Sequence, residues 1–131
     1  IKEFIRKNSK RSVFIKSLGQ LNFLSLMKLS RMIIGNSSSG IVEAPSFNLP
    51  CINIGNRQKG RVMSNNVINC SYETKAIIGA IKKGLKYNQK KLPNPYGKGN
   101  SSILVKNTLK QIFNTKNKSE ILKKKFVDYE I

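Results

Sequence analysis

The sequence predicts an α/β fold, a parallel sheet with helices on both faces. Three observations carry that expectation. Short apolar runs, at Met32-Ile33-Ile34, Cys51-Ile52-Asn53-Ile54 and Asn66-Val67-Ile68-Asn69-Cys70, have the length and β-branched content of strands. Helical patterns separate or follow them, which is the signature of βαβ units. The chain, at 131 residues, has room for one domain and one core.

The opening Ile1-Lys2-Glu3-Phe4-Ile5-Arg6 reads as the tail of a helix already in progress. With no initiator Met, the chain is expected to be part of something longer. A basic stretch from Lys7 to Arg11 leads to Val13-Phe14-Ile15, a short run with strand character. Asn22 to Arg31 is Leu-rich and is expected as a helix with Phe23, Leu26 and Met27 to one side. The strand Met32-Ile33-Ile34, expected to be buried, ends at Gly35. A short helix follows Gly40 and closes at Asn48-Leu49-Pro50. Beyond the strands at 51–54 and 66–70 lie two amphipathic segments. In 74–87, Ile77, Ile78, Ile81 and Leu85 form one stripe, with Lys75, Lys82, Lys83 and Lys86 opposite. In 101–113 the stripe is Val105, Leu109, Ile112 and Phe113. We expect one domain over residues 1–115 and a charged tail over 116–131.

The net charge of +19, from 25 Lys and Arg against 6 Asp and Glu, invites a nucleic-acid partner. It also fits a chain whose lysines decorate outer helix faces, and that reading is preferred; the field would still attract an anionic substrate. No apolar run reaches the ~20 residues of a membrane span, and no secretory signal is visible. Cys51 and Cys70, without CxxC spacing and in a chain with no His, argue against zinc. Buried free thiols are the ordinary reading, with a disulfide between them as the alternative, and the reducing cytoplasm is the expected compartment.

The chemistry concentrates in Gly35-Asn36-Ser37-Ser38-Ser39-Gly40-Ile41-Val42-Glu43-Ala44-Pro45. A strand ends, small polar residues follow between glycines, and a helix begins. In open α/β sheets ligands bind beyond the carboxyl ends of strands. Unpaired N–H groups and the positive dipole end of a helix suit a phosphate, and Ser37 and Ser38 hydroxyls can donate to its oxygens. A plain helix cap is the competing explanation, since Ser and Asn are favoured caps. A capping box would place Ser or Thr three residues before Glu43, where Gly40 stands, so that route does not commit Glu43. Its carboxylate is free to accept hydrogen bonds from two vicinal ribose hydroxyls. The next loop, Gly55-Asn56-Arg57-Gln58-Lys59-Gly60-Arg61, has the glycine spacing of a P-loop but Arg61-Val62 in place of Lys-Ser/Thr, so a P-loop is rejected. Arg57 can clamp a phosphate bidentately; an ordinary exposed charge is the alternative.

Together these pieces resemble the hydrolysing UDP-N-acetylglucosamine 2-epimerase family, including its relatives in sialic and legionaminic acid pathways. Four blocks carry the likeness over residues 12 to 113: Leu18-Gly19 with Asn22-Phe23-Leu24-Ser25-Leu26; Gly35 to Gly40 with Glu43-Ala44-Pro45-Ser46-Phe47; Pro50 with Asn53 through Arg61; and Asn94-Pro95-Tyr96-Gly97-Lys98-Gly99-Asn100. The resemblance implies the C-terminal half of a two-domain, GT-B-like fold of facing Rossmann-like halves. It implies a UDP- or GDP-linked N-acetylated sugar as substrate, no cofactor or metal, and a partner N-terminal domain. A homodimer is the expected assembly. By position, Ser37 and Ser38 resemble the diphosphate contacts, Glu43 the ribose ligand and Arg57 a phosphate-side cation, while Leu18 lines up with a contact to the nucleobase. The family's acid–base carboxylates and a His lie outside this stretch, so no catalytic residue is assigned within the chain, which alone is expected to be inactive.

Two other classes remain in view. Half of a GT-B glycosyltransferase would share the diphosphate and ribose contacts, but the Arg57-Gln58-Lys59-Gly60-Arg61 block resembles epimerases. A basic nucleic-acid module would want aromatics interleaved with cations on a strand face. The aromatics here are instead expected in core positions or in the Pro–Gly loop at 93–100.

Overall fold

The computed structural model describes residues 1–88 and 93–114; the expected tail at 116–131 lies outside them. The chain divides into two compact units, Ile1–Pro95 and Tyr96–Ile131. The first runs α1 (Lys2–Lys7), α2 (Gly19–Leu29), β1 (Ile33–Gly35), α3 (Ser39–Val42), a 3-10 turn (Ala44–Phe47), β2 (Cys51–Ile54), β3 (Val67–Cys70) and α4 (Thr74–Leu85). In the second, α5 (Ser101–Asn114) starts with Asn100 accepting from the Ile103 and Leu104 amides.

The strands form one parallel sheet in the order β1-β2-β3. Ile33 pairs with Cys51, and Cys51 with Val67, so the carboxyl ends of all three strands line one edge. The residues of β2 show how the layers divide. A side chain at Gly40 of α3 would collide with the Cys51 sulfur, whereas one at Gly84 of α4 would come within 3.1 Å of Ile52 Cδ1. Successive strand residues point to opposite faces, so α3 and α4 cover opposite sides of the sheet. The expectation of helices on both faces is met, and the fold is α/β and Rossmann-like.

Each strand is short because polar residues and glycine interrupt it, and tertiary contacts complete the burial. Ile52 is fully buried, and Met27, Ala44 and Leu49 make a cluster with Phe23, Leu24, Ile33 and Phe47 packed around it. The α4 interface keeps part of the expected stripe, with Ile77 and Ile81 half-buried. Ala80 and Gly84 are the buried residues, while Ile78 and Leu85 remain about half exposed. Small side chains let the helix approach the strands closely, so the larger ones are displaced to the rim.

Other expectations need correction. Val13-Phe14-Ile15 forms no strand among the described residues; Val13 is 76% exposed, and no neighbouring backbone pairs with the run. β1 is an outer strand here, and Ile34 is 47% exposed rather than buried. Helix α2 begins at Gly19 rather than Asn22, where a left-handed φ of +66° turns the chain in after Leu18. The aromatics are less internal than expected: Phe4, Phe14, Tyr72 and Phe113 are all exposed. None of them lies on a described strand, so the stacking platform of a nucleic-acid binder is missing there.

Both cysteines are free, Cys51 buried and Cys70 half-buried. Burial pushes the Cys51 thiol up from 9.0 to about 11. Above the unfolded value the denatured chain sheds this proton while the folded chain keeps it. Stability is therefore unaffected by Cys51 below about pH 9 and falls as pH rises toward 11. In native protein at pH 7.5, iodoacetamide should modify Cys70 at least ~10-fold faster than Cys51, as read by peptide mass mapping. Equal rates would show that the α3–β2 packing opens readily.

Candidate functional site at the carboxyl edge of the sheet

At the end of β1 the backbone leaves through Gly35 at φ +149°, a conformation that side chains disfavour. Asn36 and Ser37 are exposed, and Ser38 begins the turn into α3. The Ser38 carbonyl accepts from the Ile41 and Val42 amides at 2.9 and 2.8 Å. Ser37 behaves in part as the plain cap the sequence allowed: its Oγ accepts from the Ser39 amide at 3.3 Å and lies 3.4 Å from the Ser39 hydroxyl. Ser38 makes no side-chain cap bond, so its hydroxyl stays available.

α3 is one turn long and passes into the 3-10 turn at Ala44. A macrodipole builds with aligned peptides, so the dipole contribution expected at this helix is small. Hydroxyls and backbone amides must carry most of any anion binding. Gly40 also has a role other than backbone approach to a ligand: it lets α3 settle onto Cys51.

Glu43 sits at the junction of α3 and the 3-10 turn. Its amide donates to Ser39 O at 3.1 Å and its carbonyl accepts from the Ser46 amide at 3.0 Å. The side chain is half-buried, and its Oε2 is enclosed without a hydrogen-bond partner among the described residues. An enclosed carboxylate oxygen with no donor is costly, on the order of 1–3 kcal/mol or more. Such an atom is suited to a ligand that brings hydroxyl donors.

The loop after β2 reaches this segment from the side. Arg57 Nη1 donates to the Asn36 carbonyl at 2.9 Å, and Gln58 Nε2 donates to the same oxygen at 2.7 Å. Gln58 is buried and Arg57 exposed, so one anchors the loop while the other keeps most of its guanidinium toward solvent. The Pro–Gly segment supports the far side: Asn94 Nδ2 donates to Val42 O at 2.8 Å and to Ser46 Oγ at 2.7 Å. Asn66, fully buried, donates to Gly40 O at 3.2 Å and Leu49 O at 2.9 Å, clamping α3 and the approach to β2 from below.

A hollow of about 260 Å³ adjoins the serines, lined by Phe23, Ile33, Gly35, Ser37, Gly40 and Cys51. Ser37 lines it, Ser38 and Glu43 stand at the two ends of α3, and Arg57 reaches the same segment through the Asn36 carbonyl. Leu18 does not line this hollow; it is half-buried at the start of α2. Phe23, five residues further on, packs against the core as the sequence pattern placed it and also edges this hollow.

Residues 1–110 match the family model described as UDP-N-acetylglucosamine 2-epimerase. The chain belongs to that family. Among curated relatives, a Campylobacter jejuni GDP/UDP-N,N'-diacetylbacillosamine 2-epimerase (hydrolyzing) is 50% identical over 68 residues, 52% of this chain and 18% of the relative. A Legionella pneumophila UDP-N,N'-diacetylbacillosamine 2-epimerase (hydrolyzing) is 40% identical over 98 residues, 75% of this chain and 26% of the relative. A UDP-N-acetylglucosamine 2-epimerase of Neisseria meningitidis aligns over the whole chain at 28% identity, covering 35% of its own length. The solved UDP-GlcNAc 2-epimerase of Methanocaldococcus jannaschii superimposes with a TM-score of 0.59 at 26% identity, over 84% of this chain and 32% of that one. The chain therefore spans between 18% and 35% of the length of these epimerases. Among the described residues no helix is long and apolar enough to cross a membrane, and no cluster of three or more His, Cys, Asp or Glu could hold a metal.

Proposed function

We propose that this chain is the nucleotide-sugar-binding part of a hydrolysing 2-epimerase, with residues 1–115 as its working domain in a GT-B-like parent. The substrate is a UDP- or GDP-linked N-acetylated sugar. Support comes first from the enclosed, unpartnered Oε2 of Glu43 and the uncommitted Ser38 hydroxyl, at the two ends of α3. That pairing suits a nucleoside diphosphate: two ribose hydroxyls donate to the carboxylate while phosphate oxygens accept from the serines. Arg57, held against Asn36, supplies positive charge on the phosphate side. The hollow edged by Phe23 offers the base an aromatic wall. Leu18 stays a candidate contact to the base from the start of α2.

In the proposed reaction the nucleoside diphosphate leaves C1 as the C2 proton is removed, giving a glycal-type intermediate. Water then adds to C1 and a proton returns to C2 from the opposite face, releasing the 2-epimer. This chain orients the leaving group and stabilises its charge; the acid and base lie elsewhere in the parent protein.

The test is UDP release from UDP-N-acetylglucosamine and from its diacetylated bacillosamine analogue by the full-length protein, with UDP binding followed by calorimetry. Ser38→Ala and Glu43→Ala should each weaken UDP binding by about 10- to 100-fold, as expected for loss of hydrogen bonds to charged groups. Sugar transfer to an acceptor without hydrolysis would move the reaction to a glycosyltransferase. No nucleotide binding at all would end the proposal.

A further inference from the structure

The β2–β3 connection encloses a second hollow that the serine loop does not use. It measures about 340 Å³ and is lined by residues including Asn53, Gly55, Lys59, Arg61 and Asn69. That volume is at the small end of ligand pockets. We infer that this hollow binds a small hydroxyl-bearing phosphate monoester, a sugar phosphate in size and chemistry, independently of the nucleotide site.

Two observations meet there. At its base, Asn53 is 2% exposed, and its Nδ2 is committed to Asn69 Oδ1 at 2.7 Å on the adjacent strand. The other end of that carboxamide, Oδ1, is enclosed with no donor among the described residues. Buried polar atoms are normally satisfied, and this one requires an N–H or O–H. Toward solvent, Lys59 and Arg61 are exposed and meet no carboxylate among the described residues. An anion without an O–H would meet the cations and leave Asn53 unsatisfied. A neutral sugar would do the reverse. A hydroxylated phosphate ester answers both, the hydroxyl donating to Asn53 and the phosphate accepting from the cations.

The loop holds the hollow open because Gly55 and Gly60 adopt left-handed φ values of +79° and +85°. Those turns carry the chain from β2 around to Met63, whose sulfur lies 3.6 Å from Asn69 Nδ2.

Calorimetry on the full-length protein, titrated with glucose 6-phosphate, inorganic phosphate and glucose, tests the site. Glucose 6-phosphate should bind at least tenfold more tightly than inorganic phosphate, and glucose should not bind. A Lys59→Ala/Arg61→Ala pair should weaken glucose 6-phosphate binding tenfold or more, while Lys82→Ala/Lys83→Ala on α4 leaves it unchanged. Asn53→Ser should erase the preference over inorganic phosphate; where that variant does not fold, the two double variants decide. Saturating UDP should leave the affinity unchanged. Displacement by UDP, equal weakening by both pairs, or no binding of glucose 6-phosphate would each overturn the inference. A protein that fails to bind UDP but passes these tests would refute the nucleotide reading and leave this one standing.

Discussion

Replacing Gly40 by Ala should destabilise the fold by about 1–3 kcal/mol or more, the range for overpacking a close-packed core. The added methyl would drive into the Cys51 sulfur and come within 3.3 Å of Cys51 Cβ. Relief would require the Cys51 sulfur to leave the α3–β2 contact for the hollow that both residues line. Gly40 is buried in α3, and Cys51 is 3% exposed at the start of the central strand. The double-mutant cycle makes the cause visible. Cys51→Ala alone leaves a small void, yet in Gly40→Ala it removes the colliding atom, so the pair should be less destabilised than the sum of the singles. Urea denaturation of the four proteins measures this. Additive losses would mean that Gly40 is required for something other than contact with β2.

Asn66→Leu should cost about 2–4 kcal/mol, because two carbonyls, Gly40 O and Leu49 O, would lose buried donors at once. Leu conserves volume approximately, so the loss would report hydrogen bonds rather than a cavity. The effect should reach the candidate site as well, since Gly40 belongs to the turn that presents Ser38 and Glu43. Thermal unfolding and UDP calorimetry on the same preparation separate the two consequences. A variant as stable as the parent would show that water replaces the lost donors and that Asn66 is no clamp.

The strands at 51–54 and 67–70 and the helix at 74–85 were legible because each depends on local pattern: a run of β-branched residues, or apolar spacing near 3.6. The polar segment after β1 was legible for a related reason. Gly35, the serines and Glu43 sit in one stretch, and their placement after a strand needs only chain order. Phe23 was harder to interpret, since an aromatic on an apolar helix face looks the same whether it meets core or ligand. Asn66 and Gln58 were hidden more deeply. Their partners, Gly40, Leu49 and Asn36, lie 17 to 26 residues away, and neither side chain has any local periodicity to mark it.

What the sequence determined by itself is the α/β alternation, the parallel sheet and the location of the polar segment at a strand end. These follow from side-chain geometry along a single element. The tertiary structure alone decided which side chains are committed and which are free. It turned Ser37 into a cap, left Ser38 and the Glu43 carboxylate unspent, and shortened α3 to one turn. It brought Arg57 and Gln58 onto Asn36, and it buried Ala80 and Gly84 of α4 most deeply, leaving Ile78 and Leu85 half exposed. The Asn36 contacts and the α4 packing depend on distances between elements remote in sequence, and a hydrogen bond or a collision between them exists only once those distances are set.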